Sequence, residues 1–504
     1  MKRNVLEYLE YNAAHYSEKA AVIDENKSYT YSQLLSVSRR IGTAVANKTE
    51  MNRPIAVLLE KSADALGAFL GIVQAGCFYV TFNPDLPLNR LLQIQSVLQA
   101  EYIITDEEHL PLAESLIEKD HILMMNDLIA SQEDLTVLSK IRNRVIDTDP
   151  LYANFTSGST GVPKGVVVGH RSVIDFIEVF APLFGIDGTD IIGNQAPFDF
   201  DVSVKDIYSS LRQGATLVVI PKHLFSQPAL LLDFICEHNI TTMIWAVSAL
   251  CLISTFHGLD YKTPSTVKRV LFSGEVMPYK HLKSWMDHLP DAQFVNLYGP
   301  TEITCNCTYH IIDRNTDYSG GIPIGRPFPN EHVFLLNENN TEVTNTGETG
   351  EICVRGTALA LGYYNNPEQT ALSFPNNPLN KFYPERIYRT GDLAQYTPDG
   401  ELMFCGRKDF QIKYMGHRIE LEEIERAVSA VSGVERCCAV FDGEKQKLSG
   451  FYIGNMDKKE LYATLKESLP VFMIPNSLVQ LEDFPLTKNG KIDRKQLLER
   501  KKRK

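Results

Sequence analysis

The chain has 504 residues, 44% of them hydrophobic and 22% charged, with a formal net charge of −12. That length exceeds one ordinary core and predicts two or three domains. The acidic balance gives no general support to a nucleic-acid partner, and no apolar run reaches the length of a membrane span. The N-terminus, Met1-Lys2-Arg3-Asn4-Val5-Leu6-Glu7, shows no apolar signal region, and nine scattered cysteines suit a reducing cytoplasm. Cys305 and Cys307 lack the second ligand pair that zinc requires, and the basic end Lys501–Lys504 reads as solvated.

In chain order, Ala21–Ile23 and Pro54–Leu59 read as strands. A helix over 62–75 follows, with Leu66, Phe69, Leu70 and Val73 on one face, and then the strand 100–104. Between 200 and 300 strand and helix alternate. Val204, Ile207, Tyr208 and Leu211 mark a helix stripe that Gly214 ends. The strands 215–220, 242–246, 267–272 and 294–298 are separated by helices around 231–237 and 282–285. Such alternation predicts a parallel sheet whose ligands bind beyond the carboxyl ends of the strands. Trp245–Ala246, Ser273-Gly274-Glu275 and Tyr298-Gly299-Pro300-Thr301-Glu302 all lie at those ends. After about residue 320 turns multiply, as in a β-rich subdomain. A small α+β unit follows Gly406-Arg407-Lys408-Asp409. Its helix carries Leu421, Ile424, Val428 and Val431, and Cys437–Cys438 lie in an apolar, core-like run.

The most concentrated signal is Thr156-Ser157-Gly158-Ser159-Thr160-Gly161-Val162-Pro163-Lys164-Gly165, set between two apolar stretches. Glycine admits close backbone approach, and hydroxyls with backbone N–H groups suit a phosphate chain. It is not a Walker loop, because Gly165 follows the lysine where Ser or Thr is needed. Taken alone, the stretch reads more readily as a plain surface turn than as a phosphate loop.

This loop is followed in order by Tyr298–Glu302, Tyr388-Arg389-Thr390-Gly391-Asp392, Gly406–Asp409 and Asn489-Gly490-Lys491-Ile492-Asp493-Arg494. Tyr29-Thr30-Tyr31 with Leu34, Gln74-Ala75-Gly76, Gly347–Glu351, and Leu469-Pro470 with Met473-Ile474-Pro475 add to the set. Together these closely resemble the adenylate-forming ligases, namely amino-acid adenylation domains, acyl-CoA synthetases and luciferases. The stretches Asn194–Val204 and Phe272–Pro278 look most like the D-alanine–carrier protein ligases of teichoic acid modification. Free-standing peptide-synthetase adenylation domains come next.

The resemblance implies an α/β fold. Residues 1–408 form an N-terminal core of two mixed or parallel sheets with helices and a β-rich subdomain, and 409–504 form a small mobile α+β lid. It implies ATP and Mg²⁺ as cofactors, and a small amino acid, D-alanine first, as substrate. The acceptor is a separate phosphopantetheinylated carrier protein, because the chain ends ten residues after Arg494. An adenylation enzyme for L-serine or L-alanine, a carboxylate–CoA ligase and a catalytically dead nucleotide binder are the alternatives. The implied catalytic residues are Lys491, Thr156 and Glu302. Thr156, Ser157, Gly158, Ser159, Thr160, Gly161 and Lys164 hold phosphates, and Tyr298 stacks on adenine. Asn296 meets the adenine edge, Asp392 takes the ribose hydroxyls, and Glu302 places Mg²⁺. Leu297, Gly299, Pro300, Thr301, Phe404 and Arg407 complete the nucleotide set.

In the same carry-over, Asp201 binds the substrate ammonium, although it also reads as a helix cap. The pocket is Val202, Lys205, Trp245, Leu271, Ser273, Leu297, Cys305 and Asn306, with Trp245 and the two leucines expected to leave little volume. Two departures stand out: Ser273 where the D-alanine ligases carry cysteine, and Lys205, which either snorkels away or faces an acidic side chain. Asp409 is the hinge, or a turn residue, and Gly416 lines the pantetheine channel.

Overall fold

A computed structural model describes residues 2–158, 161–443, 445–486 and 492–502. The chain packs as two compact units. The larger comprises residues 1–84, 99–154 and 165–408; the smaller gathers 85–98, 155–164 and 409–504.

Among the described residues, the principal sheet of the larger unit has nine strands. Their spatial order is Arg326–Pro327, Thr308–Ile311, Gln293–Tyr298, Arg269–Ser273, Thr242–Ala246, Ile191–Asn194, Thr216–Val219, Ala20–Ile23 and Ser28–Thr30. The central strands pair in parallel and the two ends of the sheet are antiparallel. Successive side chains on a strand face opposite sides, so the apolar runs serve two cores. Ile244, Leu271, Val295 and Leu297 join one core with Val204 and Ile207 of the Val202–Gln213 helix. Met243, Trp245, Val270 and Phe272 join the other with Leu231 and Trp285. Gly214 ends that helix at φ +69°, in the left-handed region where the stripe is expected to stop.

A seven-stranded sheet runs through Pro54–Leu58, Phe78–Thr81 and Pro150–Thr156, and Lys164–Gly169 follows next to the last of these. A five-stranded antiparallel sheet between Glu331 and Arg407 forms the β-rich part expected after residue 320. The Tyr29-Thr30-Tyr31 motif has a structural reason. Thr30 caps the Tyr31–Ala46 helix through a capping box with Gln33. The buried Tyr31 hydroxyl donates to the carbonyls of Ala215 and Ser210, at 2.6 and 3.1 Å.

The smaller unit carries a three-stranded sheet, Val434–Asp442, Lys447–Gly454 and Ser477–Gln480. Ile424, Val428, Leu461 and Leu465 pack in its core. The Leu88–Leu98 helix belongs to it as well: Arg90 and Glu423 form a buried pair at 2.6 Å.

His170 opens the His170–Leu183 helix, fully enclosed, with Val5 N–H at 3.5 Å from its Nδ1. Burial, and then the Arg142 charge, lower its pKa to about 3. In the unfolded chain it titrates near 6.5. Its contribution is therefore complete above about pH 6.5 and is lost as pH falls toward 3. At about 1.4 kcal/mol per pKa unit this amounts to roughly 3–6 kcal/mol. His170→Gln keeps an acceptor for Val5 and should flatten that acid slope. Urea unfolding at pH 7, 6, 5 and 4 checks it, and identical slopes in the two proteins count against the assignment.

Candidate active site

Several motifs of the larger unit converge on Asp392. Its carboxylate is buried and accepts the Tyr298 phenol at 2.5 Å and an ion pair from Arg407. Arg407 also donates to the Thr390 carbonyl at 3.2 Å, and the Thr390 hydroxyl accepts the Asp392 N–H at 3.0 Å. Behind them, Glu351 pairs with Arg389 and with Lys408, and accepts the Gly391 N–H. Burial works against the Glu351 charge, yet Arg389 and Lys408 hold its carboxyl below the ordinary range. Tyr298 is shifted the other way: burial first, then Asp392, push its phenol well above the usual value, so it remains a donor. A carboxylate offers about four lone-pair sites. Asp392 therefore retains acceptor capacity for a vicinal diol, the chemistry of a ribose.

Around this cluster, Asn296 donates to the Pro323 carbonyl at 2.8 Å, and Phe404 packs half-buried against the core. Glu302 is buried and accepts the Tyr363 phenol at 2.8 Å, in the short helical turn Thr301–Ile303 that follows Pro300. Its hard oxygens are of the type that would suit Mg²⁺. Among the described residues no three His, Cys, Asp or Glu side chains form a metal-ligand group. Gly299 is there for space: a Cβ would lie 2.5 Å from Asn306 Cα and 2.8 Å from the Cys305 carbonyl.

The second cluster surrounds the head of the Val202–Gln213 helix. Asp201 occupies the cap position in helical conformation, and its carboxylate makes no capping bond. The cap reading is thereby corrected: a capping residue takes extended dihedrals, whereas Asp201 is helical and forms no side-chain cap bond. Cys305 Sγ lies 3.1 Å from the Asp201 carbonyl. One helical turn on from Asp201, the fully buried Lys205 ammonium donates to Asn306 Oδ1 at 2.7 Å and Ser273 Oγ at 3.3 Å. Lys205 does not snorkel to solvent. Thr304 and Cys305 both hold positive φ, +56° and +76°. This strained turn, tied down by Thr304 Oγ1 to the Ala358 carbonyl at 2.7 Å, brings Asn306 to Lys205. Leu271 and Leu297 face the same core, and Val202 stands half-buried at the helix start.

Trp245 does not join them. Register pairs it with Phe272, and Phe272 with Asn296, on the opposite face from Leu271. Its indole N–H donates to the Gly193 carbonyl at 2.8 Å, within the other core. The expected narrowing by Trp245 is corrected accordingly: strand alternation sends it to the far side, and the leucines alone remain.

Sequence reasoning missed Lys61 and Asp206. Lys61 donates to the Gln195 carbonyl at 2.9 Å and to Asn194 at 3.4 Å; Asn194 in turn donates to Asp206 at 2.7 Å. Burial lowers the Lys61 pKa and raises that of Asp206, each against the pull of opposite charge. The available signal for Lys61 was its place just past the carboxyl end of the strand Pro54–Leu58.

In the smaller unit, the described residues on either side of Ser159–Thr160 in the glycine-rich loop lie close together. A Cβ on Gly158 would meet the Val162 carbonyl at 2.0 Å, and Gly161 N–H closes onto the Gly158 carbonyl at 2.8 Å. Ser157 donates to the Arg418 carbonyl at 2.8 Å, and Arg426 lies 3.4 Å from the Gly158 carbonyl. Thr156 Oγ1 is buried with no partner among the described residues, which fits a hydroxyl awaiting a phosphate oxygen. Lys164 begins the next strand. Asp409 Oδ1 accepts the Gln411 N–H at 3.2 Å, a turn contact. Gly416, at φ +80° after Met415 at +52°, makes the two-residue turn of the hairpin Gln411–Tyr414/His417–Glu420. Ser159, Thr160 and Lys491 lie outside the described residues.

Comparison with known proteins agrees with this geometry. Residues 9–364 match the family described as AMP-binding enzyme, and 423–491 match the AMP-binding enzyme C-terminal domain. Zwittermicin A synthase ZmaJ of Bacillus cereus is 32% identical over 95% of this chain and 92% of its own length. Surfactin synthase subunit 1 of Bacillus subtilis is 32% identical over 98% of this chain, which spans only 14% of that protein. The crystal structure of IdnL1 superposes with a TM-score of 0.81 at 28% identity, over 96% of this chain and 98% of that one.

Asp392→Asn removes the charge while keeping the shape. It should weaken ATP binding by about tenfold to a hundredfold, the range for charged hydrogen bonds. Isothermal titration measures this, with circular dichroism to check folding. Unchanged affinity would place the nucleoside elsewhere.

Proposed function

The chain belongs to the AMP-binding, adenylate-forming enzymes, and on that footing we propose that it activates an amino acid and passes it to a carrier-protein thiol. In the first step the substrate carboxylate attacks the α-phosphorus of ATP; the bond to pyrophosphate breaks and the acyl adenylate forms. In the second, a thiolate attacks the acyl carbon and AMP leaves. The first transition state gathers negative charge at the α-phosphate, where preorganised donors act most strongly. Thr156 and the loop glycines serve that role with Lys491, and Asp392, Tyr298 and Arg407 hold the nucleoside. Glu302 is the residue that would hold Mg²⁺, which when bound would neutralise phosphate charge.

The observation that carries the amino-acid reading is Asp201. Its carboxylate is half-buried, not engaged in capping its helix, and stands one turn from the Lys205 cluster. An ammonium-bearing substrate uses a carboxylate there, whereas a fatty or aryl acid has no use for it. The carrier step rests on the resemblance that assigns Asp409 and Gly416. D-alanine, suggested by the stretches Asn194–Val204 and Phe272–Pro278, is the first small amino acid to try as substrate. Among the described residues no helix is long and apolar enough to cross a membrane.

Amino-acid-dependent exchange of labelled pyrophosphate into ATP tests the first step. Lys491→Ala should lose most of that exchange while binding ATP as before; an unchanged rate removes Lys491 from the chemistry. Incubation with a phosphopantetheinylated carrier or with coenzyme A identifies the acceptor by mass, and product on coenzyme A alone overturns the carrier assignment.

A further inference from the structure

Tyr152 carries a hydroxyl with nothing to bond. Its side chain is fully enclosed, and among the described residues it is the one phenol sealed from solvent without a hydrogen-bond partner. Other buried tyrosines are paired: Tyr8 with Glu178, Tyr31 with the Ala215 carbonyl, Tyr452 with the Met456 carbonyl, and Tyr79 with Tyr208 at 3.1 Å. A buried polar group normally finds a partner, and phenylalanine fills the same space without stranding a hydroxyl. The strand Pro150–Thr156 sets Tyr152 opposite Tyr79. The two rings stack at 5.8 Å, and Tyr79 in turn stacks on Phe69 at 4.3 Å. A ring clamped in this way holds its hydroxyl in one place.

The surroundings of that hydroxyl belong to the candidate substrate pocket. Tyr152, Tyr79 and Tyr208 share one core with Cys305, Leu271 and Leu297. After burial, the groups that act on the phenol are Cys305, then Asp201, then Tyr208. All of them raise its pKa, so it keeps its proton and remains a donor. Cys305, placed in the pocket for the substrate side chain, acts on it more strongly than Asp201, placed there for the ammonium. Neither neighbouring hydroxyl nor thiol takes the bond: Tyr208 is engaged with Tyr79, and Cys305 Sγ meets the Asp201 carbonyl at 3.1 Å. Tyr152 thus offers an O–H donor on the side-chain part of the pocket.

We propose that Tyr152 is a specificity-determining contact: its phenol donates a hydrogen bond to an oxygen on the substrate side chain, so that the amino acid activated carries a side-chain hydroxyl, amide or carboxylate. This rests on the amino-acid activation proposed above. The side-chain oxygen supplies the acceptor that the protein leaves out. An apolar side chain of the same size leaves the hydroxyl stranded, and a site built to hydrogen-bond a substrate oxygen rejects the analogue that lacks it.

The test is pyrophosphate exchange across the common amino acids in both enantiomers, read as size-matched pairs: serine against alanine, threonine against valine, asparagine and aspartate against leucine. It is run on the wild-type protein and on Tyr152→Phe, with urea unfolding of both. The wild type should favour the oxygen-bearing member of its best pair by at least about tenfold in kcat/KM. Tyr152→Phe should lower that member's kcat/KM by about tenfold, mostly through KM, and so close the gap. The KM for ATP and the unfolding midpoint should hold. A variant that keeps the wild-type preference overturns the proposal, since the hydroxyl then bonds an enclosed water or nothing. An equal loss on both members of the pair overturns it too, because that marks a packing role. Wild-type preference for the apolar members, or an even response across the pairs, overturns it without any variant while amino-acid activation stands. Silence across the whole panel, with ATP still bound, overturns both.

Discussion

Burial of the central sheet on both faces is the constraint from which the rest follows. Its inner strands are apolar through their middle positions, because each face closes a separate core. Polar groups gather where a strand ends and its backbone turns away, at Ser273, at Tyr298 and in the stretch after Asn194. A buried polar group must find a partner, so these ends become networks. Tyr298 reaches Asp392, Ser273 reaches Lys205, and Asn194 reaches Asp206. The site is the set of places where the sheet tolerates chemistry.

Two devices bring chain segments close enough for those networks. One is omission of a side chain: Gly299 lets the 305–307 backbone pass within contact distance, and Cys307 N–H then bonds the Tyr298 carbonyl at 2.8 Å. The other is strain. Thr304 and Cys305 sit in the left-handed region, a cost of order 1–3 kcal/mol each, held by the surrounding core. Such strain persists where a side chain must be aimed, and here it aims Asn306. The same principle shapes the smaller unit, where Gly158 allows a backbone approach that no Cβ permits and Thr156 Oγ1 is left buried without a partner among the described residues.

Buried charge is the third element. Lys61, Lys205 and Asp206 are each costly alone, and burial drives the Lys61 and Asp206 pKa values toward one another. Together they are tolerable, since each opposite charge returns part of what desolvation removes. Glu351 solves the same problem with two cations, Arg389 and Lys408, and in doing so braces the motif that carries Asp392. Motif residues therefore have a structural role as well, because they brace one another's backbone and charge.

By itself, the sequence determined the α/β alternation, the parallel strands and the helix stripe ending at Gly214. Each is a local pattern of apolar period and breaker that the chain carries in any context. It also determined which residues belong to the glycine-rich loop and to the Tyr298–Glu302 and Tyr388–Asp392 motifs, because those are contiguous. Tertiary structure alone decided which way each side chain faces. Trp245 and Leu271 lie on neighbouring strands at the edge of one predicted site, yet register sends them to opposite faces. It decided that Lys205 is enclosed and does not reach water, and that Lys61 and Asp206, 145 positions apart as numbered, share one charge network. The reason is that burial, register and charge pairing depend on contacts between distant segments, and no local pattern encodes the field at a buried atom.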